Sequence, residues 1–90
     1  MNTAGNSWDE VDYFNDGREQ KALLKNFKFK DFKQALGFVN MIGQLAEKAG
    51  HHPDINMGWG YATIWLTTHD AHGITEKDRS LAVQIDLLQI

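Results

Sequence analysis

Residues 21–50 read KALLKNFKFKDFKQALGFVNMIGQLAEKAG, and the spacing of their apolar side chains changes at Asp31. Before Asp31, phenylalanines alternate with lysines, which predicts a strand with one face in the core and the other in water. After it, apolar residues recur at helical spacing: Phe32, Ala35, Leu36, Val39, Ile42, Ala46 and Ala49. Asp31 with Gln34 three positions later resembles a capping box, and Gly50 is well placed to end the helix.

A hairpin is predicted upstream of this helix. The turn residues Asn15, Asp16 and Gly17 separate two runs of alternating character, so residues 7–14 and 21–29 are expected to pair as antiparallel strands. Leu24 and Phe27 have opposite parity in the second run, which leaves room for a bulge.

The downstream half predicts further extended chain and a second helix. Residues 53–69 suit one long strand or two short ones. Thr75 and Asp78 form another capping pair. The buried face of this helix is expected to comprise Leu81, Ala82, Ile85 and Leu88. Val83 and Leu87 lie off that face, which indicates a partner helix. The order strand, strand, helix, strand, helix is typical of an α+β protein with helices on one face of a mainly antiparallel sheet.

Composition narrows the class of protein. The 90 residues suit one domain spanning 1–90, and a net charge of −3 disfavours direct binding to nucleic acid. The chain has no cysteine, which excludes disulfides and thiolate metal sites and is compatible with the cytoplasm. The first ten residues lack a basic start and an apolar run, so a secretory signal is not expected. No apolar run approaches the ~20 residues that a membrane helix needs.

Three of the four histidines lie where elements end. His51 and His52 stand side by side before the only proline, Pro53, and His69 ends an alternating run. Because Pro53 favours extended chain before it, His52 is expected to point away from His51. Three interpretations remain open: structural or surface histidines, a zinc site, and acid–base catalysis. A zinc site could also draw on Asp70, His72 and Asp78.

Together these residues resemble the pterin-4a-carbinolamine dehydratase family, also called 4a-hydroxytetrahydrobiopterin dehydratases. The family pattern is supplied in order by Glu47, His51, His52, Pro53, Trp59, His69 and Asp78, and the likeness runs from about Trp8 to Leu88. Three positions depart from the usual family residues: Gly50, Ile55 and His72.

The resemblance implies a four-stranded antiparallel sheet with helices on one face, assembled as a homodimer or homotetramer. It implies dehydration of a 4a-hydroxytetrahydropterin to the quinonoid dihydropterin, with no metal and no redox cofactor. His51 and His52 are expected to protonate the leaving hydroxyl, and His69 to orient the substrate or accept the N5 proton. Glu47 and Asp78 are expected to hold the imidazoles.

The same resemblance suggests roles for four further residues. Pro53 is expected to shape the loop, and the backbone near Thr67 and Thr68 to bind the amide edge of the pterin. For Trp59, core packing is favoured over stacking on the pterin. The alternative function is an interaction protein, because some animal relatives also stabilise the dimer of a homeodomain transcription factor.

Overall fold

Strands β1 (Asp9–Asn15) and β2 (Arg18–Lys28) form the predicted antiparallel hairpin. The computed structural model describes residues 7–15 and 17–88, so Asp16 of the predicted turn lies outside the described residues. The register runs unbroken from Asp9 opposite Leu24 to Asn15 opposite Arg18. No bulge is needed at Leu24, because it faces the side of the sheet that carries Trp65, its partner on the next strand.

Helix α1 (Phe32–Ala49) begins where the sequence predicts and buries a slightly different face. The Asp31 side chain accepts a hydrogen bond from the Gln34 amide. The buried residues are Ala35, Phe38, Ile42 and Ala46. Phe32 and Leu36, which were expected in the buried face, are 46% and 41% exposed, and Ala49 is exposed as well. This face of the helix is buried because the Phe38 ring packs on the rings of Phe27 in β2 and of Phe29 just after it. The ring centroids are 4.7 Å and 5.0 Å from that of Phe38.

Residues 53–69 contain two strands, β3 (Asp54–Gly58) and β4 (Tyr61–Leu66). They complete a four-stranded antiparallel sheet in the order β1–β2–β4–β3. One cluster of side chains from β2, β4 and both helices forms the core: Leu23, Phe27, Phe38, Ile42, Ala62, Ile64, Leu66, Leu81, Ala82 and Ile85. The fold is therefore α+β, as the sequence predicts.

Helix α2 (Glu76–Asp86) begins with the predicted capping box between Thr75 and Asp78. Its buried residues are Asp78, Leu81, Ala82 and Ile85. Val83 and Leu87 are 60% and 70% exposed, as expected from the apolar pattern. None of the helices in the described part of the chain is both long and apolar enough to cross a membrane.

A half-buried ion pair joins the end of α2 to the sheet. Lys25 of β2 is only 6% exposed, and its Nζ lies 2.8 Å from Oδ1 of Asp86. The indole Nε1 of Trp8 donates to the other oxygen of Asp86 at 3.1 Å. The lysine sits beside the rings of Trp8 and Phe27, so its stem and charge are both accommodated within the apolar layer.

Because Phe38 is 1% exposed and contacts two other rings, we predict that Phe38→Ala lowers the free energy of unfolding by about 3–5 kcal/mol. Leu36→Ala on the same helix is the matched control, with an expected loss of about 1 kcal/mol or less because its side chain is largely exposed. Urea denaturation followed by circular dichroism measures both. Equal losses in the two variants would contradict the observed orientation of α1.

Candidate active site

A loop of residues 51–53 carries the adjacent histidines between α1 and β3. Gly50 ends the helix in the left-handed conformation at φ +64°, and the His51 amide donates to the Ala46 carbonyl at 3.2 Å. Nothing lies within 4 Å of a Cβ placed on Gly50, so the backbone angle, and not crowding, favours glycine there. A helix end therefore fixes the direction in which the chain reaches His51 and His52.

The carboxylate of Asp78 joins the two segments that carry histidines. Asp78 is fully buried, and its oxygens accept from His51 Nε2 at 2.6 Å, Thr68 Oγ1 at 2.7 Å and the Thr75 amide at 2.8 Å. Thr68 immediately precedes His69. One side chain at the start of α2 thus caps the helix and brings the 51–53 loop next to the end of the β4 segment.

This contact also determines which nitrogen of His51 can act as a base. We assign the proton of this contact to Nε2 of His51, because an ionised carboxylate can only accept a hydrogen bond. A neutral imidazole then has its lone pair on Nδ1. Nδ1 of His51 is therefore the atom that can take up a proton and return it.

His52 forms a second imidazole–carboxylate pair in a different environment. Its Nε2 lies 2.6 Å from Oε2 of Glu47, in the last turn of α1, and the two side chains are 60% and 79% exposed. The His51 and Asp78 side chains are 12% and 0% exposed at the same separation. The adjacent histidines thus contact different carboxylates, which agrees with the divergence expected before Pro53.

Two grooves flank the histidine pair. His52, Glu47, Pro53 and Ile55 line a groove of about 600 Å³ between α1 and β3. His51 lines a smaller one of about 350 Å³, between the end of α1 and the exposed polar residues of α2. Each histidine therefore faces a space large enough for part of a small ligand.

The third histidine lies on a closed turn. Thr68 and Gly73 exchange backbone hydrogen bonds at 2.9 and 3.3 Å, and His69 begins a single 3₁₀ turn between them with its side chain exposed. His72 closes the turn in the left-handed region at φ +58°. Glycine adopts that conformation most readily, so a histidine at position 72 carries a backbone cost.

Of the three residues predicted to bind the substrate, Thr67 and Thr68 directly precede His69, whereas Trp59 lies elsewhere. Both backbone groups of Thr68 are bonded to Gly73, and the Thr67 hydroxyl donates to the Lys21 carbonyl at 2.7 Å. Trp59 lies in the turn before β4, at the opposite end of that strand from His69, and is 70% exposed. The preference for core packing of Trp59 was therefore wrong, and the residue does not join the histidines.

Sequence reasoning missed the contact of Thr68 with Asp78. Capping residues at positions 75 and 78 were recognisable, but the hydroxyl that reaches them from position 68 depends on how the turn folds.

In the described ranges, 7–15 and 17–88, no three histidine or acidic side chains come together in a group that could hold a metal ion.

The fold and the site together define a small four-stranded α+β domain with two imidazole–carboxylate pairs at one end of its sheet. Comparison with known proteins makes the assignment specific. The family model described as "Pterin 4 alpha carbinolamine dehydratase" matches residues 2–88. The chain belongs to the pterin-4a-carbinolamine dehydratase family.

Curated relatives carry the same description. A protein of Alkaliphilus metalliredigens named "Putative pterin-4-alpha-carbinolamine dehydratase" is 51% identical over 67 residues, which are 74% of this chain and 60% of that protein. One of the same name from Rubrobacter xylanophilus is 43% identical over 81 residues, 90% of this chain and 69% of that protein. The matched region thus spans roughly two thirds of the length of these relatives.

Two solved structures share the fold. One is titled as a transcriptional coactivator/pterin dehydratase from Brucella melitensis; it is 38% identical, with a TM-score of 0.74 over 88% of this chain and 78% of that one. The other is titled as a pterin dehydratase-like RuBisCO assembly factor of the alpha-carboxysome. It is 28% identical, with a TM-score of 0.75 over 96% of this chain and 93% of that one.

The two imidazole–carboxylate pairs differ in burial, so substitutions of their carboxylates should differ in their effect on stability. We predict that Asp78→Asn lowers the free energy of unfolding by about 2–3 kcal/mol, because an amide cannot accept from all the donors that the buried carboxylate satisfies. Glu47→Gln is the control, with an expected change within ~0.5 kcal/mol because the pair is exposed. Urea unfolding of both variants decides this. A loss in the Glu47 variant as large as that in the Asp78 variant would contradict the account.

Proposed function

We propose that this protein dehydrates 4a-hydroxytetrahydropterins to quinonoid dihydropterins by histidine acid–base catalysis. One observation carries the proposal beyond family membership: the buried carboxylate of Asp78 contacts His51 and also Thr68, the residue before His69. Asp78 thus holds His51 directly and, through Thr68, the segment that carries His69. A cytoplasmic location is part of the same proposal.

The reaction is an elimination that histidine can serve. The C4a–O bond breaks and the hydroxyl leaves as water after gaining a proton. N5 loses its proton, and a C4a=N5 double bond forms. The substrate has the same overall oxidation level as the two products, dihydropterin and water, so the step is redox-neutral. An acid at the hydroxyl and a base at N5 are sufficient, and such positioned groups typically contribute ~10²–10⁴-fold.

His51 is the residue best prepared to exchange a proton. Asp78 fixes its orientation and its Nε2–H tautomer, and stabilises the imidazolium that forms when Nδ1 takes up a proton. The arrangement needs little reorganisation during the reaction, because the carboxylate is itself held by Thr68 and the Thr75 amide. We assign His51 to protonation of the leaving hydroxyl, with His52 as the second donor on its loop.

His69 is assigned to the N5 side of the substrate. Its side chain is exposed, on a turn that two backbone hydrogen bonds close. Thr68 connects that turn to Asp78, so the position of His69 relative to His51 is set through one carboxylate. The pterin would then contact the 51–53 loop and the 69–72 turn together. The groove beside His52 has room for the bicyclic ring or its substituent.

We predict that His51→Ala and His69→Ala each lower kcat for dehydration on the order of 10²-fold, because each removes a proton-transfer group. The substrate is generated fresh, and its loss is followed by ultraviolet absorbance against the uncatalysed rate. His72→Asn is the matched control: it removes a neighbouring imidazole from the same turn, and asparagine tolerates the left-handed angle. Wild-type rates in both alanine variants would refute the role assignment.

An interaction function is the second candidate. It is favoured by the titles of the two structural neighbours, one a transcriptional coactivator and the other a RuBisCO assembly factor. For this chain the alternative is a protein that stabilises a partner, such as a transcription-factor dimer, without needing catalysis. The anchored histidines argue for dehydration first, because a purely adhesive surface has no need of a buried carboxylate–imidazole pair.

A homo-oligomer is common to both candidates. Val83 and Leu87, on one side of α2, leave apolar surface in water that a second copy of the chain would cover. We predict that the double substitution Val83→Glu and Leu87→Glu reduces the solution mass, measured by size-exclusion chromatography with light scattering. His72→Asn, on the exposed 69–72 turn, is the control and is expected to keep the wild-type mass. An unchanged mass in the double variant would place the assembly contact elsewhere.

A further inference from the structure

The histidine loop leads into a weakly anchored strand. β3 is an edge strand of five residues, and β4 is its only strand partner within the described chain. Asp54, its first residue, follows Pro53 directly and stands two positions after His52. Short edge strands open locally at low free-energy cost. If the start of β3 frayed, the position of His52 would be lost with it, because the exposed pair with Glu47 restrains the imidazole only weakly.

One side chain reaches this point from the other edge of the sheet. Tyr13 belongs to β1, which β2 and β4 separate from β3. Its ring stacks on Trp65 with centroids 5.6 Å apart and planes 17° from parallel. Its hydroxyl donates to Asp54 Oδ2 at 2.5 Å. Trp65 and Asp54 lie opposite each other in the β3–β4 ladder. The ring and the hydroxyl of Tyr13 therefore contact two adjacent residues of this ladder.

The contact is half-buried. Within the described chain, both helices pack against the opposite face of the sheet, which carries Leu23, Ile64 and Leu66, and on the Tyr13 side Ala22 of β2 is fully buried. Burial, together with the hydrogen bond to Asp54, raises the pKa of Tyr13 above its ordinary value. The hydroxyl therefore keeps its proton and remains a donor to the carboxylate throughout the neutral range, where a charge-assisted hydrogen bond is strong.

We propose that Tyr13 is a positioning residue for the histidine loop. By tying Asp54 to the far edge of the sheet, it fixes the start of β3 and, through Pro53, the location of His52. The loop is then held at both ends, by the bond of the His51 amide to Ala46 at the helix end and by Tyr13 at the strand end. For catalysis this inference rests on the proposed dehydration, because small displacements of a catalytic group slow the chemical step.

The kinetic test uses Tyr13→Phe, which removes the hydroxyl and keeps the stacked ring. We expect kcat to fall by about tenfold with KM unchanged, because the substrate still binds and His52, the second proton donor, is displaced. Asp54→Ala should lower kcat at least as much, and adding Tyr13→Phe to it should cost nothing further if both act through one contact. Tyr61→Phe, a tyrosine on the same face at the other end of β4, is the matched control and should leave kcat unchanged.

A second readout needs no turnover. The side-chain nitrogen resonances of His52, measured by NMR in the protein without ligand, should shift in Tyr13→Phe and Asp54→Ala and stay in place in Tyr61→Phe. If they shift as expected while the wild type fails to dehydrate pterins, the positioning role stands and the proposed function falls. Unshifted His52 resonances and wild-type kcat in Tyr13→Phe would overturn the inference. Equal shifts in all three variants, which would indicate general loosening, would overturn it as well.

Discussion

The geometry of the site depends on one buried carboxylate. Asp78 has no solvent contact, and it satisfies donors from the 51–53 loop, the 68–73 turn and the first turn of α2. A charge without water is tolerated only when such partners surround it. Burial of Asp78 on docking of α2 therefore favours the arrangement in which His51 and Thr68 bind it.

The sheet supports the segments that carry the histidines. Strands β2 and β4 occupy its centre and supply the apolar layer beneath both helices, whereas the site lies where β3 begins and β4 ends. Loops at the ends of a rigid sheet are common places for functional groups, because the scaffold fixes them while their side chains stay accessible. Two further contacts hold the periphery of the sheet: the Lys25–Asp86 pair at the end of α2, and the Tyr13–Asp54 hydrogen bond on the face opposite the described helices.

Much of this could be predicted from the sequence, since its signals are local. The hairpin, both helix starts and the end of α1 at Gly50 follow from turn, capping and periodicity patterns over a few residues. The divergence of His51 and His52 followed from Pro53. Contacts between distant segments had no such signal. The Thr68 hydroxyl on Asp78, the buried Lys25 and the Tyr13 contact on Asp54 arise only when strands far apart in the sequence come together. Trp59 was misjudged because an aromatic residue beside a strand usually packs, whereas this one lies in the exposed turn.

The measurement that tests the account most directly is the dehydration rate of freshly generated 4a-hydroxytetrahydropterin with the purified wild-type protein and without it. The account predicts acceleration on the order of 10²-fold or more over the uncatalysed loss of water at neutral pH, without added metal or redox cofactor. A rate equal to that in buffer, from a protein shown to be folded, would contradict it. The anchored histidines would then serve only the structure, and the interaction function would take precedence.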